Sequence, residues 1–550
     1  MPFKKHFSCI LSALIIFSIT SLAKPAAKHD EPYLTVVIVI DQLAHHYLDK
    51  LSKNFTGGLK KLLKQGVVFQ NAFHPHGIPE TTPGHHAIST GTLPRDHGAV
   101  LNQWLNDRCY KIPFESDTSG HARVFSKDGF YNTGKSCHHT AVDGFSDQFL
   151  LSEKPDKKAK VFALSLKSYP ALSMANRLGK AIWFDEKAGG FTSSERYFTQ
   201  LPSWLTAFNK HHKIEQLTTV TWKSVHHASH KAYRFPFTRH YQFAGLPFSF
   251  IDKKEVQLDK TTATPYDLYL KTPASGKLLL ECAQECIRKN FDRHSRMLLW
   301  VSLSNLDLAG HVYGPDSMEI IDTIYHVDRQ LNVFIKFLEK TVGKKNFMLV
   351  LTADHGIAPL PEIMAQKGYP HARRIIAKNL IRTMNVELEK TYNIPNIVSC
   401  FEPTSFVLNH TVFQAQDQAT QLQILNDIKK ILKSEPGIKE AWTFNELQAL
   451  VCQPDSYEQF YKNQLFANRT GDIIIQPHPF CQVTNYETGT SHQSPYDYDT
   501  HVPLIFYHHK HLKPGIIKQK VWIPQLPVTL AHLLRISKPG SSPYGILPGI

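Results

Sequence analysis

The 550-residue chain holds only eight cysteines, and their spacings match no zinc-finger pattern. It has no arginine-rich run, no basic patch interleaved with aromatics, and no internal repeat. Low complexity is confined to a Pro/Gly/Ser-rich C-terminus. Beyond residue 23, no apolar stretch approaches the roughly 20 residues needed to span a bilayer. These absences argue against a structural zinc module, specific nucleic-acid recognition and a membrane-spanning mature chain. At 42% hydrophobic and 20% charged, the composition is that of a globular protein, with no collagen-like or disordered bias.

The N-terminus has the form of a secretory signal. Lys4-Lys5-His6 make a basic start, Phe7–Thr20 an apolar core, and Ser21-Leu22-Ala23 a small-x-small cleavage site. A signal peptide over 1–23 and a soluble periplasmic or secreted protein are the expectation. Removing Lys4 and Lys5 takes the formal charge from +15 to +13, a balance that attracts anionic substrates or lipid headgroups. In an oxidising compartment cysteines pair. The expected couples are Cys109 with Cys137 and two among Cys400, Cys452 and Cys481, with Cys282 and Cys286 on one helix face.

What the chain does have is a set of short apolar runs that stop at residues able to hold or approach a divalent metal. Leu34–Ile40 ends at Asp41, Met297–Ser304 leads into Asp307 and His311, and Phe347–Thr352 ends at Asp354-His355. Val161–Leu166 ends at Lys167, and His492 closely precedes His501–Tyr507. Such runs read as buried parallel strands of an α/β fold, whose ligands bind at the carboxyl ends. Carboxylate and imidazole without thiolate suit catalytic zinc, and two metals about 4 Å apart suit an in-line displacement.

Between these runs, helices are predicted for Asn54–Gly66, Lys277–Asn290, Ser317 to Val342, Gln416–Ser434 and Leu526–Leu534. A catalytic domain over 32–550 is expected, with insertions at about 171–275, a cap, and 372–480, a small α+β unit. The segment Gly77-Ile-Pro-Glu-Thr81-Thr82-Pro83-Gly84-His85 offers a nucleophile. Pro83 suits the first turn of a helix, with Thr81 or Thr82 at its cap, where a hydroxyl and a phosphoryl oxygen both meet backbone N–H groups.

Several motifs in order make the resemblance specific: VIVIDQ at Asp41, TTPGHHAISTG from Thr81, LNQW at Asn102, SLK at Lys167, DLAGH, TADHG and SHQSPYDYDTHVPLIFY. From about residue 33 onward the chain resembles the alkaline phosphatase superfamily, in its threonine-nucleophile branch. That branch holds the type I phosphodiesterase/nucleotide pyrophosphatases and the monomeric bacterial alkaline phosphatases with an active-site lysine. The resemblance implies a three-layer α/β sandwich with a mostly parallel sheet, and Thr81 as nucleophile. It implies two Zn2+, one held by Asp41, Thr81, Asp354 and His355, the other by Asp307, His311 and His492. Asn102, the Thr82 amide and Lys167 would contact the phosphate, and His501 would be structural.

The chain departs from that pattern at Lys167-Ser168-Tyr169, where phosphomonoesterases of the branch carry Lys-x-Arg. Tyr169 offers one hydrogen bond in place of arginine's planar fork. The reading is a zinc-dependent phosphatase that hydrolyses small phosphate monoesters through a phosphothreonine, acting as a monomer. The alternative is a phosphodiesterase or nucleotide pyrophosphatase, and a distant one a silent zinc- or phosphate-binding protein. A sulfatase would need C/S-x-P-x-R, which Thr81-Thr82-Pro83-Gly84-His85 does not supply.

Overall fold

The structure is a computed structural model that describes residues 32–106, 108–152, 158–213, 217, 222–227, 230–233 and 265–550. The expected signal peptide lies outside the described residues, as does most of 214–264.

A nine-stranded sheet organises the fold. Its spatial order is Gly190–Thr192, Lys180–Asp185, Ala159–Ser165, Arg296–Leu303, Leu34–Ile40, Phe347–Thr352, His501–Tyr507, Val67–Phe73 and Gly515–Trp522. All neighbouring pairs are parallel except those involving Gly190–Thr192 and His501–Tyr507. The central strands are buried along their whole length. Both faces are therefore covered, which is why they read as unbroken apolar runs rather than alternating ones.

Helices Gly58–Gln65, Pro273–Asn290 and Met318–Leu338 pack together as one layer. Thr81–Thr90, Phe145–Leu151, Ser168–Ala175 and Gln525–Leu533 form another. Asp328 of the Met318–Leu338 helix ties the first layer: its carboxylate accepts the N–H groups of Thr56, Gly57 and Leu59 at 2.7–2.8 Å. It satisfies donors at the start of Gly58–Gln65 that would otherwise lack a partner.

Register sets where the strands end. Ile40 lies opposite Leu303, Val39 opposite Thr352, and Ser302 opposite Ser165. Four parallel strands thus stop at one level, and the residues after each emerge on one edge. The expectation of a parallel strand at His501–Tyr507 is corrected: it runs antiparallel to both neighbours. Its beginning, not its end, lies at the active edge, so His492 reaches the site from the preceding loop.

The cap expected from residue 171 does not begin there. Ser168–Ala175 is a core helix, and Lys180–Asp185 and Gly190–Thr192 extend the central sheet. Trp183, Phe184 and Phe191 are buried in the main core, which explains the local richness in aromatics. Farther on, Asp322 holds residues 222–227 and 230–233, accepting from Trp222 Nε1 at 2.6 Å, Val225 N–H at 2.7 Å and the Tyr233 hydroxyl.

The 372–480 stretch contains a four-stranded sheet ordered Val398–Glu402, Ser405–Leu408, Ile473–Pro477, Ile438–Thr443. Helices Ala377–Tyr392 and Gln418–Ser434 pack with it around a core of their own. Asp417 caps the second helix, accepting from Ala419 and Thr420 N–H at 3.0 Å.

The disulfide is Cys109–Cys400, not Cys109–Cys137. It joins residues 291 apart, a meeting that no local spacing reveals. Cys137, Cys282, Cys286, Cys452 and Cys481 are free among the described residues.

Candidate active site

Two groups of side chains that could each hold a metal ion sit at the level where the strands end. Asp41, Asp354 and His355 form one, and Asp307, His311 and His492 the other; within each, ligand atoms lie within 4.8 Å of one another. Asp41 directly follows Leu34–Ile40, and Asp354-His355 follow Phe347–Thr352. Asp307 and His311, four apart, share a face of the Asn305–Tyr313 helix that leaves Arg296–Leu303.

Backbone carbonyls orient all three histidines. His311 Nδ1 faces Thr490 O at 2.8 Å, His492 Nδ1 faces Pro79 O at 2.8 Å, and His355 Nδ1 faces Gly356 O at 2.9 Å. A carbonyl can only accept, so each Nδ1 carries a hydrogen and it is each Nε2 that faces the carboxylates. His311 and His492 Nε2 stand 3.3 Å apart, at 3.1 and 3.4 Å from Asp307 Oδ1. His355 Nε2 is 3.4 Å from Asp41 Oδ1 and 3.4 Å from Thr81 Oγ1.

The charges fit divalent cations. Of the three buried carboxylates, two face one ammonium: Lys167 Nζ lies 2.8 Å from Asp41 Oδ2 and 2.5 Å from Asp307 Oδ2. Asp41 Oδ1 is buried without a hydrogen-bond partner, which is costly unless a cation meets it. Burial, reinforced by Asp307 and Asp354, pushes the Asp41 carboxyl well above its usual range despite Lys167. Burial works the same way on Asp307, but Lys167 and His311 hold it well below. Burial lowers His355 to about 3, whereas at His492 the Asp307 hydrogen bond and charge overcome burial and raise it to about 9.

Thr81 opens the Thr81–Thr90 helix, with Glu80 rather than a threonine at the cap position. The Glu80 carboxylate turns away to accept Asn102 N–H and Gln493 Nε2–H, both at 2.9 Å. Asn102 supplies the missing cap from another segment. Its Oδ1 accepts the Thr82 N–H at 2.8 Å and the Thr82 hydroxyl at 2.7 Å. This corrects the expectation that the Thr82 amide is open to phosphate: it is occupied, and it orients Asn102 with its amide NH2 directed elsewhere. Lys167 stands at the cap position of Ser168–Ala175, its Nζ 5.7 Å from the Tyr169 ring centroid. Burial raises the Tyr169 phenol, which keeps it protonated and able to donate. His501 bonds Gln70 O at 2.7 Å and stacks on His45 and Phe73, outside both groups.

Three residues that sequence reasoning passed over also belong here. His85, one turn beyond Thr81, places Nδ1 2.7 Å from Thr81 O and 3.1 Å from Asp354 Oδ2. Glu80 links the Asn102 and His492 loops. Gln42 bonds Asp354 through its N–H at 3.2 Å and Asp307 through Nε2 at 2.6 Å. Only the one-turn spacing of Thr81 and His85 left a signal in the sequence.

A sheet edge of this kind, with paired ligand groups facing a helix-borne threonine, defines a phosphoric ester hydrolase of the alkaline phosphatase superfamily. The chain belongs to the type I phosphodiesterase/nucleotide pyrophosphatase family, whose model matches residues 35–502. Three curated relatives align over 97% of this chain and 97% of their own length. They are a protein named calcium-transporting ATPase from Myroides odoratus, 27% identical, alkaline phosphatase PhoV from Synechococcus elongatus, 26%, and alkaline phosphatase PafA from Elizabethkingia meningoseptica, 27%. The crystal structure of wild-type PafA superposes with a TM-score of 0.82 at 25% identity, covering 94% of this chain and 98% of that one.

Proposed function

We propose that this protein is an exported, monomeric, zinc-dependent phosphatase that hydrolyses small phosphate monoesters through a phosphothreonine at Thr81. The observation that carries the reading is the convergence of Thr81, both ligand groups and Lys167. A helix N-terminus presents the Thr81 hydroxyl beside His355, with a buried ammonium reaching both groups. The PafA and PhoV names support the monoester reading.

Asp41, Asp354 and His355, with Thr81, would hold one zinc ion, and Asp307, His311 and His492 the other. Bound there, the ions would acidify the attacking hydroxyl and neutralise the leaving oxygen. Thr81 Oγ1 attacks phosphorus, the P–O bond to the alcohol breaks, and the alcohol departs. Water then cleaves the Thr81 phosphoester, releasing inorganic phosphate and restoring the hydroxyl. Asn102, held by Thr82, directs its amide donors at an equatorial oxygen, and Lys167 supplies positive charge beside it. Tyr169 adds one donor. The leader over 1–23 would direct export, and the insertion at 372–480 would shape access to the site.

The second reading, a phosphodiesterase, is favoured by Tyr169, since losing arginine's fork weakens recognition of a dianion. Comparing kcat/KM for an aryl phosphate and its methyl diester on zinc-loaded protein separates the two. Lys167→Ala should cost the monoester far more; equal losses would remove the monoester reading. Thr81→Ala should lower turnover by several decades and abolish trapping of phosphate on the protein. Activity within about tenfold of wild type would overturn the nucleophile assignment.

A further inference from the structure

We infer that Gln42 is a positioning residue that holds the two metal-ligand groups in register with each other. The inference rests on the reading of those groups as metal sites.

Gln42 is buried and has φ +72°, a left-handed conformation that residues other than glycine rarely adopt. That turn, placed directly after Asp41, sends its two donors to different groups. The backbone N–H reaches Asp354 Oδ1 at 3.2 Å, in the Asp41/His355 group. The side-chain Nε2 reaches Asp307 Oδ1 at 2.6 Å, in the His311/His492 group. An ionised carboxylate only accepts, which fixes the amide nitrogen toward Asp307. One residue thus bonds a carboxylate of each group and is covalently attached to a third.

A second irregularity meets it. Gly310 lies inside the Asn305–Tyr313 helix, between the ligands Asp307 and His311, where glycine weakens a helix. A Cβ at Gly310 would stand 1.7 Å from Gln42 Oε1, and its next contacts would be Gln42 Cδ at 2.9 Å and Ile357 Cδ1 at 3.0 Å. The helix gives up a side chain at the one place where the glutamine amide must fit. Two locally unfavourable choices in segments 268 residues apart therefore serve one contact. Packing alone would be met by alanine at 310 and a shorter residue at 42. A fixed Asp307 carboxylate requires both present residues, because its Oδ1 is the oxygen that faces both histidines.

The test uses zinc-loaded full-length protein and three variants, Gln42→Met, Gln42→Gly and Gly310→Ala, equilibrated in chelator-buffered Zn2+. Wild type should hold two ions. Each variant should lose one at a free zinc concentration about ten- to a hundredfold higher than wild type does. Their kcat should fall by a similar factor with KM within about threefold, because Gln42 does not touch substrate. Gln42→Gly relieves the backbone and Gly310→Ala favours the helix, so a loss of zinc in these two is not a loss of fold. Their Tm values verify that, and they decide the matter if Gln42→Met fails to fold. Variants that retain both ions with wild-type affinity would overturn the role of Gln42 alone. A wild-type chain that binds no zinc would overturn the metal-site reading and this inference with it.

Discussion

Asn102 Oδ1 accepts both the backbone N–H and the hydroxyl of Thr82, at 2.8 and 2.7 Å. One amide oxygen thereby caps the helix that opens with Thr81, the proposed nucleophile, and turns its own NH2 group away from Thr82. Asn102→Ala should therefore remove an oxyanion donor and loosen the helix start together. Turnover of an aryl phosphate should fall about a hundredfold or more. Asn102→Asp, which keeps the cap but loses the donors, should recover helix stability without recovering kcat, as thermal melts and steady-state kinetics would show.

Gly84 is where the Thr81–Thr90 helix meets the sheet. A Cβ there would lie 2.2 Å from the Asp354 backbone oxygen, which has no freedom to move aside. Gly84→Ala should push the first turn, and Thr81 with it, away from His355. A displacement of about 1 Å is enough for a loss on the order of a hundredfold in kcat/KM. Wild-type rates for a folded Gly84→Ala protein would show that the helix is not held by this approach.

Glu402, at the end of a strand of the inserted sheet, gives a pH-dependent term. Burial, then the Glu80 charge, raises its carboxyl to about 7, against Lys111. Between its ordinary value of 4.5 and 7, the native state binds a proton that the unfolded chain releases, so stability falls as pH rises through that window. Glu402→Gln should leave stability at pH 4 nearly unchanged. At pH 8 it should raise it by on the order of 2 kcal/mol, read from denaturant midpoints at the two pH values.

The Cys109–Cys400 bond closes a loop of several hundred residues and fastens the inserted sheet beside the Asn102 segment. Reduction, or Cys400→Ser, should cost about 2–5 kcal/mol and lower Tm. Thiol labelling of the unreduced, denatured protein should modify Cys137, Cys282, Cys286, Cys452 and Cys481 but neither Cys109 nor Cys400.

Much of the site was legible because strand ends are local. An apolar run that stops at Asp41, Lys167 or Asp354 announces both its burial and its edge. The Asp307-Leu-Ala-Gly-His311 spacing announces a helix face. What the sequence missed arises from other causes. A buried strand reads the same in either direction, so His501–Tyr507 looked parallel. Lys180–Asp185 and Gly190–Thr192 looked like insertion because strands at and next to the sheet edge, rich in aromatics, lack the aliphatic signature of the centre.

By itself, then, the sequence determined the strands, the residue types at their ends and the threonine at a helix start, since these follow from hydrophobic periodicity and chain-local geometry. Tertiary structure decided which side chains share a bond. The Cys109–Cys400 link, the Glu80 bridge, the Asn102 cap on Thr82 and the span of Gln42 between Asp354 and Asp307 each join distinct segments of the chain. Their partners are set by sheet register and by close backbone approach, which exist only once the nine strands have been ordered.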